Sequence, residues 1–271
     1  QLGFLSFEEL NLDRLPPLPE PGQPLRLEHL NSNQGDIHAE LADLDNDSRL
    51  DLILCSSDYA DAPPYEERLR LFYQQPDGRF KDLTASMGID HIGAGMPSLA
   101  DLDGDGDLDL IVGQSFNRLS PEQRRSAALV SGALSADAPE DTVPSIRARL
   151  FLNPGSPEHN AIVLHLTGDP AQNCTAEAYH SLISVTADVD GDPATPEVTQ
   201  IRQILGPGGH AGGESPPWAH IGIGKGTSAT ISVEWAGSTA VSPARPAQTF
   251  LNVTPGTYHL KQGDSLQPRF P

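Results

Sequence analysis

Two stretches of the chain share one pattern of apolar and polar positions. HAELADLDNDSRLDLILCSS (38–57) and MPSLADLDGDGDLDLIVGQS (96–115) align on LADLD, and the copies start 58 positions apart. In each, an apolar approach ending at Leu41 or Leu99 enters an acidic loop. An alternating run leaves it: Leu50, Leu52, Leu54 in the first copy and Leu108, Leu110, Val112 in the second. Alternation with period two predicts strands with one buried face. Each copy therefore reads strand, acidic loop, strand. Between them, RLRLFYQQPDGRFKDLTASMGI (68–89) alternates at Leu69, Leu71 and Tyr73, turns at PDG and starts a further strand at Phe80. One repeat thus holds about four strands, the content of a propeller blade, and repetition at such a period implies stacked supersecondary units.

The pattern is then interrupted at about 118–147. SPEQRRSAALVSGALSADA (120–138) carries Leu129 and Leu134 at helical spacing, with Ser120 placed to cap and Pro121 at the first helical position. RARLFLNPGS (147–156) resembles RLRLFYQQPDG and resumes the repeat, so propeller-like repeats are expected over 31–158. From 159 to 262 short alternating runs divided by Gly, Pro and Asp predict a small β-sandwich. GPGGHAGGESPPWAHIGIGKG (206–226) is expected to be a long ordered loop, residues 1–30 an extended apolar arm and 263–271 a frayed tail. The expected fold class is mainly β: four-stranded propeller-type repeats with acidic loops, a small β-sandwich domain and one inserted helix.

Composition narrows the partners. The formal net charge is −20 over 271 residues, which disfavours nucleic acid, because phosphate binding needs clustered Lys and Arg. Cations are the expected partner. No run approaches the ~20 apolar residues of a membrane span, so the chain is expected not to span a membrane. Cys55 and Cys174 allow one disulfide or two free buried thiols. The numbering begins at Gln1 rather than Met, as in a processed or excised chain whose signal peptide has gone. Asn46, Asn173 and Asn252 sit in Asn-x-Ser/Thr triplets, and Asn46 is a poor acceptor because it lies inside an acidic loop.

The acids are concentrated. The second loop places Asp101, Asp103, Asp105, Asp107 and Asp109 at alternate positions, with Gly104 and Gly106 between them. Glycines let the chain curl, so the carboxylates converge instead of lining one strand face. Converging hard oxygens suit Ca²⁺, which takes 6–8 oxygen ligands in tolerant geometry, better than Mg²⁺. By analogy with the EF-hand loop, Asp101, Asp103, Asp105 and Asp109 are side-chain ligands and Asp107 offers its carbonyl. The first loop keeps Asp43, Asp45, Asp47 and Asp51, with Ser48 at the bend and Arg49 at the carbonyl position. Two Ca²⁺ sites are expected, the second the stronger. The string Asp188, Asp190, Asp192 offers a weaker third, although it is followed by Pro193, lacks a closing acid and suits a hairpin turn better.

At these residues the copies resemble FG-GAP/VCBS repeats, and the linking RLRLFYQQPDGRFKDLTASMGI resembles the same family's recurrent run. That resemblance implies an integrin-like β-propeller with Ca²⁺ in each loop. Residues 148–237 resemble an ASPIC/UnbV domain of cartilage acidic protein-like chains. The similarity lies in Arg149-Leu-Phe-Leu-Asn153, His165-Leu-Thr-Gly168, Gly208-Gly209-His210, His220-Ile-Gly-Ile-Gly224 and Val233-Glu-Trp235. NCTAEAYHSLIS (173–184) departs from that family's Asn-Arg-x-Ala-Ile-Gly-Ala stretch. Two repeats are too few for a closed propeller, which needs about four blades. The expectation is a longer propeller or a partner chain covering the open face.

No HExxH, GxSxG or P-loop spacing is present, and no catalytic residue is assigned. The expected function is a calcium-stabilised, non-catalytic extracellular interaction or adhesion module, secreted, periplasmic or cell-surface. A protein partner or further propeller blades are implied, and a glycan or surface ligand is compatible. The alternatives are an accessory subunit of a larger secreted or surface assembly, and a metal-dependent enzyme using His210 and His220 beside the Gly-rich loop.

Overall fold

The computed structural model describes residues 36–56, 69–89, 91, 95–114, 121–130, 132–142, 147–206, 218–237 and 247–269. The N-terminal arm, Ser120 and most of the Gly-rich loop, including His210, lie outside the described residues. The described chain is mainly β with one α-helix. It divides into two compact units. One takes the described residues up to Leu41, then 51–95 and 113–149; the other takes 42–50, 96–112 and 150 onward.

In the first unit the alternating runs become strands β1 (Asp36–Ala42), β2 (Asp51–Ser56), β3 (Leu69–Gln74) and β4 (Phe80–Asp82). They form one four-stranded sheet in the order β1-β2-β3-β4. Ile53, Leu69, Leu71 and Phe72 are buried, and each such side chain contributes roughly 1.5–3 kcal/mol by leaving water. Asp51 accepts a hydrogen bond from the Gln74 amide at 2.9 Å, tying the start of β2 to the end of β3.

The second copy gives β5 (Pro97–Ala100) and β6 (Asp109–Gln114). Helix α1 (Pro121–Val130) follows, and then β7 (Arg147–Phe151) completes a three-stranded sheet of order β5-β6-β7. Pro121 takes the first helical position, where its missing N–H costs nothing. Ala128 packs with Ala133 and Leu134 beyond the helix end. The equivalence with the first copy extends to a hydrogen bond. Asp109 accepts from the Asn153 amide at 2.8 Å, as Asp51 accepts from Gln74. The partners stand 44 positions apart instead of 23 because the helix has been inserted between them.

The remaining strands are β8 (Asn160–Thr167), β9 (Leu182–Ala187), β10 (Val198–Gln203), β11 (Trp218–Gly224), β12 (Ala229–Glu234), β13 (Ala247–Val253), β14 (Gly256–Lys261) and β15 (Gln267–Pro268). They make two sheets, β11-β8-β14-β15 and β10-β9-β12-β13. Both contribute to one core: Ile162, Leu164, Ile221, Ile223 and Leu260 from the first; Ile183, Val185, Ile231 and Val233 from the second; and Trp235 just past β12. Two sheets sharing one apolar core make a sandwich.

Two details differ from the expectation drawn from sequence. The end of the chain is not frayed through its length, because Gln267–Pro268 pair with β14 and Arg269 donates to the Thr257 carbonyl at 2.8 Å. An edge strand tolerates Pro268, since its missing N–H can face away from the ladder. Tryptophan and His220 lie in β11, not in the Gly-rich loop. The Asp188–Asp192 string is the turn between paired strands β9 and β10. Asp188, Asp190 and Asp192 are spent on turn amides, from Gly191, Asp192 and Ala194. Cys55 and Cys174 are both buried thiols that form no disulfide.

Candidate metal centre

The two acidic loops have different sequences and the same conformation. Their fourth and sixth residues have positive φ: Asn46 at 60° and Ser48 at 75°, Gly104 at 83° and Gly106 at 94°. Asn tolerates the left-handed region through its short polar side chain, whereas Ser there carries strain that Gly avoids. The hydrogen bonds repeat as well. The first Asp accepts from the sixth amide, Ser48 to Asp43 at 2.8 Å and Gly106 to Asp101 at 3.2 Å. The third accepts from the fifth at 3.3 Å in both loops. The fifth accepts from the seventh, Arg49 to Asp47 at 2.8 Å and Asp107 to Asp105 at 3.0 Å.

This wrapping draws carboxylates together. One oxygen each from Asp43, Asp45 and Asp47 lie within 4.8 Å of one another, and so do oxygens of Asp101, Asp103 and Asp109. Both sets are hard oxygen donors of the kind Ca²⁺ takes. The other sequence candidates have different partners. Asp105 caps the Asp107 amide, Asp107 receives the Asn46 side-chain amide, the Arg49 guanidinium pairs with Asp47, and Asp51 holds the Gln74 amide. Asp109 also accepts from the Leu102 amide at 2.8 Å, closing its own loop. Burial, then the charge of neighbouring Asp105, pushes the Asp107 carboxyl up. Burial does the same to Asp47 against the pull of Arg49. A cation would relieve both.

Side chains outside the loops hold them in place. Asn153 donates through Nδ2 to the carbonyls of Leu44 at 2.7 Å and Leu108 at 3.2 Å, so one amide braces both loops. His159 Nδ1 meets the Asp45 carbonyl at 2.8 Å and His220 Nε2 the Gly106 carbonyl at 2.9 Å. Burial keeps His220 well below the usual imidazole range, so it is neutral and carries its proton on Nε2 to donate there.

Strand β11 supplies the seat. Ala219, Ile221 and Ile223 face the sandwich core. The alternate residues turn the other way: His220 to the second loop, Gly222 against Asp43 and Asn46, and Gly224 donating to the Asn46 carbonyl at 2.8 Å. A Cβ on Gly222 would overlap the Asp43 carboxylate and lie 2.6 Å from Asn46 Cα. A Cβ on Gly155 would likewise overlap the Asp107 carboxylate. The roles of Asn153, His159, Gly155 and Gly222 were not read from sequence. The available signal was the His-Ile-Gly-Ile-Gly run, whose small residues mark a strand face approached closely by other backbone.

No curated protein matches the chain. Two solved structures align over 81% of it at 11% identity. One is titled "Trapped Toxin", with a TM-score of 0.24 and 49% of that chain covered. The other is the human-specific toxin intermedilysin, with a TM-score of 0.22 and 50% covered. The chain thus spans about half the length of each, and likeness this slight carries no argument. Residues 43–112 match a family model described as FG-GAP-like repeat, a segment that runs from the first acidic loop through the second and into β6.

Proposed function

We propose that the chain is a calcium-stabilised, non-catalytic interaction module of a secreted or surface protein. The observation that supports this most directly is the pair of loops. Different residues adopt the same bends and the same hydrogen bonds, and each loop gathers three carboxylates. Asp43, Asp45 and Asp47 would hold one Ca²⁺; Asp101, Asp103 and Asp109 would hold another. The ion's contribution is charge neutralisation and loop order. An ion that binds only the folded state stabilises it by about 2.7 kcal/mol at a hundredfold excess over Kd.

The FG-GAP-like repeat at 43–112 favours an extracellular or surface setting, and no described helix is long and apolar enough to cross a membrane. On this reading the C-terminal sheets are the ASPIC/UnbV-like part, and their His220-Ile-Gly-Ile-Gly224 strand is the platform on which the loops rest. An enzyme built on His210 and His220 gains no support from His220, which is buried and bonded to a backbone carbonyl.

Calorimetric titration of the chelator-treated protein with CaCl₂ tests the reading. Two binding events are expected, with loss of one in Asp101→Ala. Absence of heat and an unshifted melt with calcium would sink it. An accessory role in a larger assembly is favoured by Leu102, Leu150 and Leu152, which are 43%, 53% and 56% exposed within the second unit. Such apolar exposure suits a protein partner or further blades, and co-purification of a stoichiometric partner would support it.

A further inference from the structure

Two asparagines tie the acidic loops to each other, and every residue involved belongs to the second unit. Asn46, the fourth residue of the first loop, donates through Nδ2 to the carboxylate of Asp107, the seventh residue of the second. Asn153 makes the other link. Its backbone amide donates to Asp109 Oδ1 at 2.8 Å, and its Nδ2 donates to the carbonyls of Leu108 at 3.2 Å and Leu44 at 2.7 Å. Asp109 is one of the three carboxylates gathered in the second loop. Leu44 stands between Asp43 and Asp45, two of the three gathered in the first. One residue therefore holds a candidate ligand of one site and the backbone that aims candidate ligands of the other.

Little slack separates these links. Asn46 is 3% exposed and Leu44 5%. Asn153 is fixed at its remaining polar atom too, since Oδ1 accepts from the Gly155 amide at 3.1 Å. The Asn46 carbonyl is pinned by the Gly224 amide of β11. Asn46 Oδ1, by contrast, is buried and has no hydrogen-bond partner among the described residues. A bare oxygen inside the first loop is the kind of group that a cation satisfies.

Ordering one loop therefore orders part of the other. Once Asp101, Asp103 and Asp109 are held, the Asp107–Asp109 segment is held with them. Asn46 and Asn153 carry that order to the first loop before Asp43, Asp45 and Asp47 are engaged. Ordering entropy met in advance gives positive coupling without a change of shape. Charge does not cancel it. Residues 101–109 hold five Asp and no Lys or Arg, so the second loop stays net negative with a divalent cation bound and does not repel the next.

We propose that cation binding in the second loop raises the first loop's affinity for its own cation, with Asn46 and Asn153 as the positioning residues that carry the coupling. The proposal rests on the calcium reading above. Coupling is reciprocal at equilibrium, but the gain shows at the site that fills last. The strained bend at Ser48 makes that the first loop.

The test is calorimetric titration of the full, chelator-treated chain with CaCl₂, run as a double-mutant cycle. Asp103→Asn removes one carboxylate from the second site and keeps an oxygen for the Asp105 amide. Asn46→Gly removes the cross-loop amide and keeps a residue suited to the positive φ of the bend. In the parent chain, Asp103→Asn should weaken the first site about fivefold or more. In the Asn46→Gly chain it should leave the first site nearly unchanged, and Asn153→Ala provides a second background with the same expectation. A merely structural role for Asn46 would weaken the first site equally with and without Asp103. A first site indifferent to Asp103→Asn, or an equal loss in every background, the signature of charge alone, would overturn the coupling and leave the calcium reading intact. Absence of heat from the parent chain would overturn both.

Discussion

Gly222→Ala isolates the seating of the first loop on β11. The backbone of Gly222 accepts an L-residue, so no conformational strain accompanies the change. What matters is space. The added methyl would overlap the Asp43 carboxylate, whose side chain can swing aside. It would also stand 2.6 Å from Asn46 Cα and 2.7 Å from its carbonyl carbon, and backbone cannot swing. The Asn46 carbonyl is pinned by the Gly224 amide at 2.8 Å. Ordinary contact begins at 3.4 Å, so the loop must retreat by roughly 0.8 Å. Overpacking of a tight contact costs typically 1–3 kcal/mol, and the rigid neighbour puts this case near the upper end. A chain of this size would lose roughly 5–10 °C in melting temperature. Gly113→Ala is the control, because nothing lies within 4 Å of its added methyl, and it should stay within about 0.5 kcal/mol of the parent. The assay is thermal and urea unfolding followed by circular dichroism, with calcium titration alongside. Gly222→Ala should weaken the first site and spare the second. A melt matching that of Gly113→Ala would show that the loop is not seated on β11 as described.

A chelator should lower the melting temperature, and Asp101→Ala should do so far more than Asp188→Ala, whose carboxylate caps an exposed turn; equal shifts in differential scanning calorimetry would refute this. Asn153→Ala removes the amide that serves two loop carbonyls and should cost about 1–3 kcal/mol in urea unfolding. Trp235→Ala empties a fully buried core position and should cost about 3–5 kcal/mol by the same measurement. His165 should titrate near 4 in proton NMR, well below the ordinary 6.5. Since the unfolded chain takes up this proton first, its contribution to stability is intact above 6.5 and falls away as pH drops toward 4. Arg269 Nη1 lies against the His165 ring, so Arg269→Gln should raise the midpoint, and an unmoved midpoint would contradict the contact.

Local patterning carried the strands well. Leu69, Leu71 and Tyr73 alternate and form β3, and the PDG triplet turns into β4, because side-chain period and turn chemistry are nearest-neighbour properties. The helix at Pro121–Val130 was legible from Pro121 for the same reason, but the Leu129 and Leu134 spacing was not helical, because the helix ends at Val130 and Leu134 folds back onto Ala128 from beyond it. The register that pairs Gln267–Pro268 with β14 was not, since an edge strand of two residues has no period to read.

The acidic loops divide the same way. Sequence by itself determined that two nine-residue segments would curl and concentrate carboxylates, because Asp spacing and Gly, Asn or Ser at the bends are local facts. Only the tertiary structure decided which oxygens converge: Asp43, Asp45 and Asp47 in one loop, Asp101, Asp103 and Asp109 in the other. It also decided that both loops lie against β11, braced by Asn153, His159 and His220. Those partners are more than a hundred positions from the atoms they hold, apart from Asn153 and Leu108. Contacts across such distances come from the packing of sheets, which no local pattern encodes.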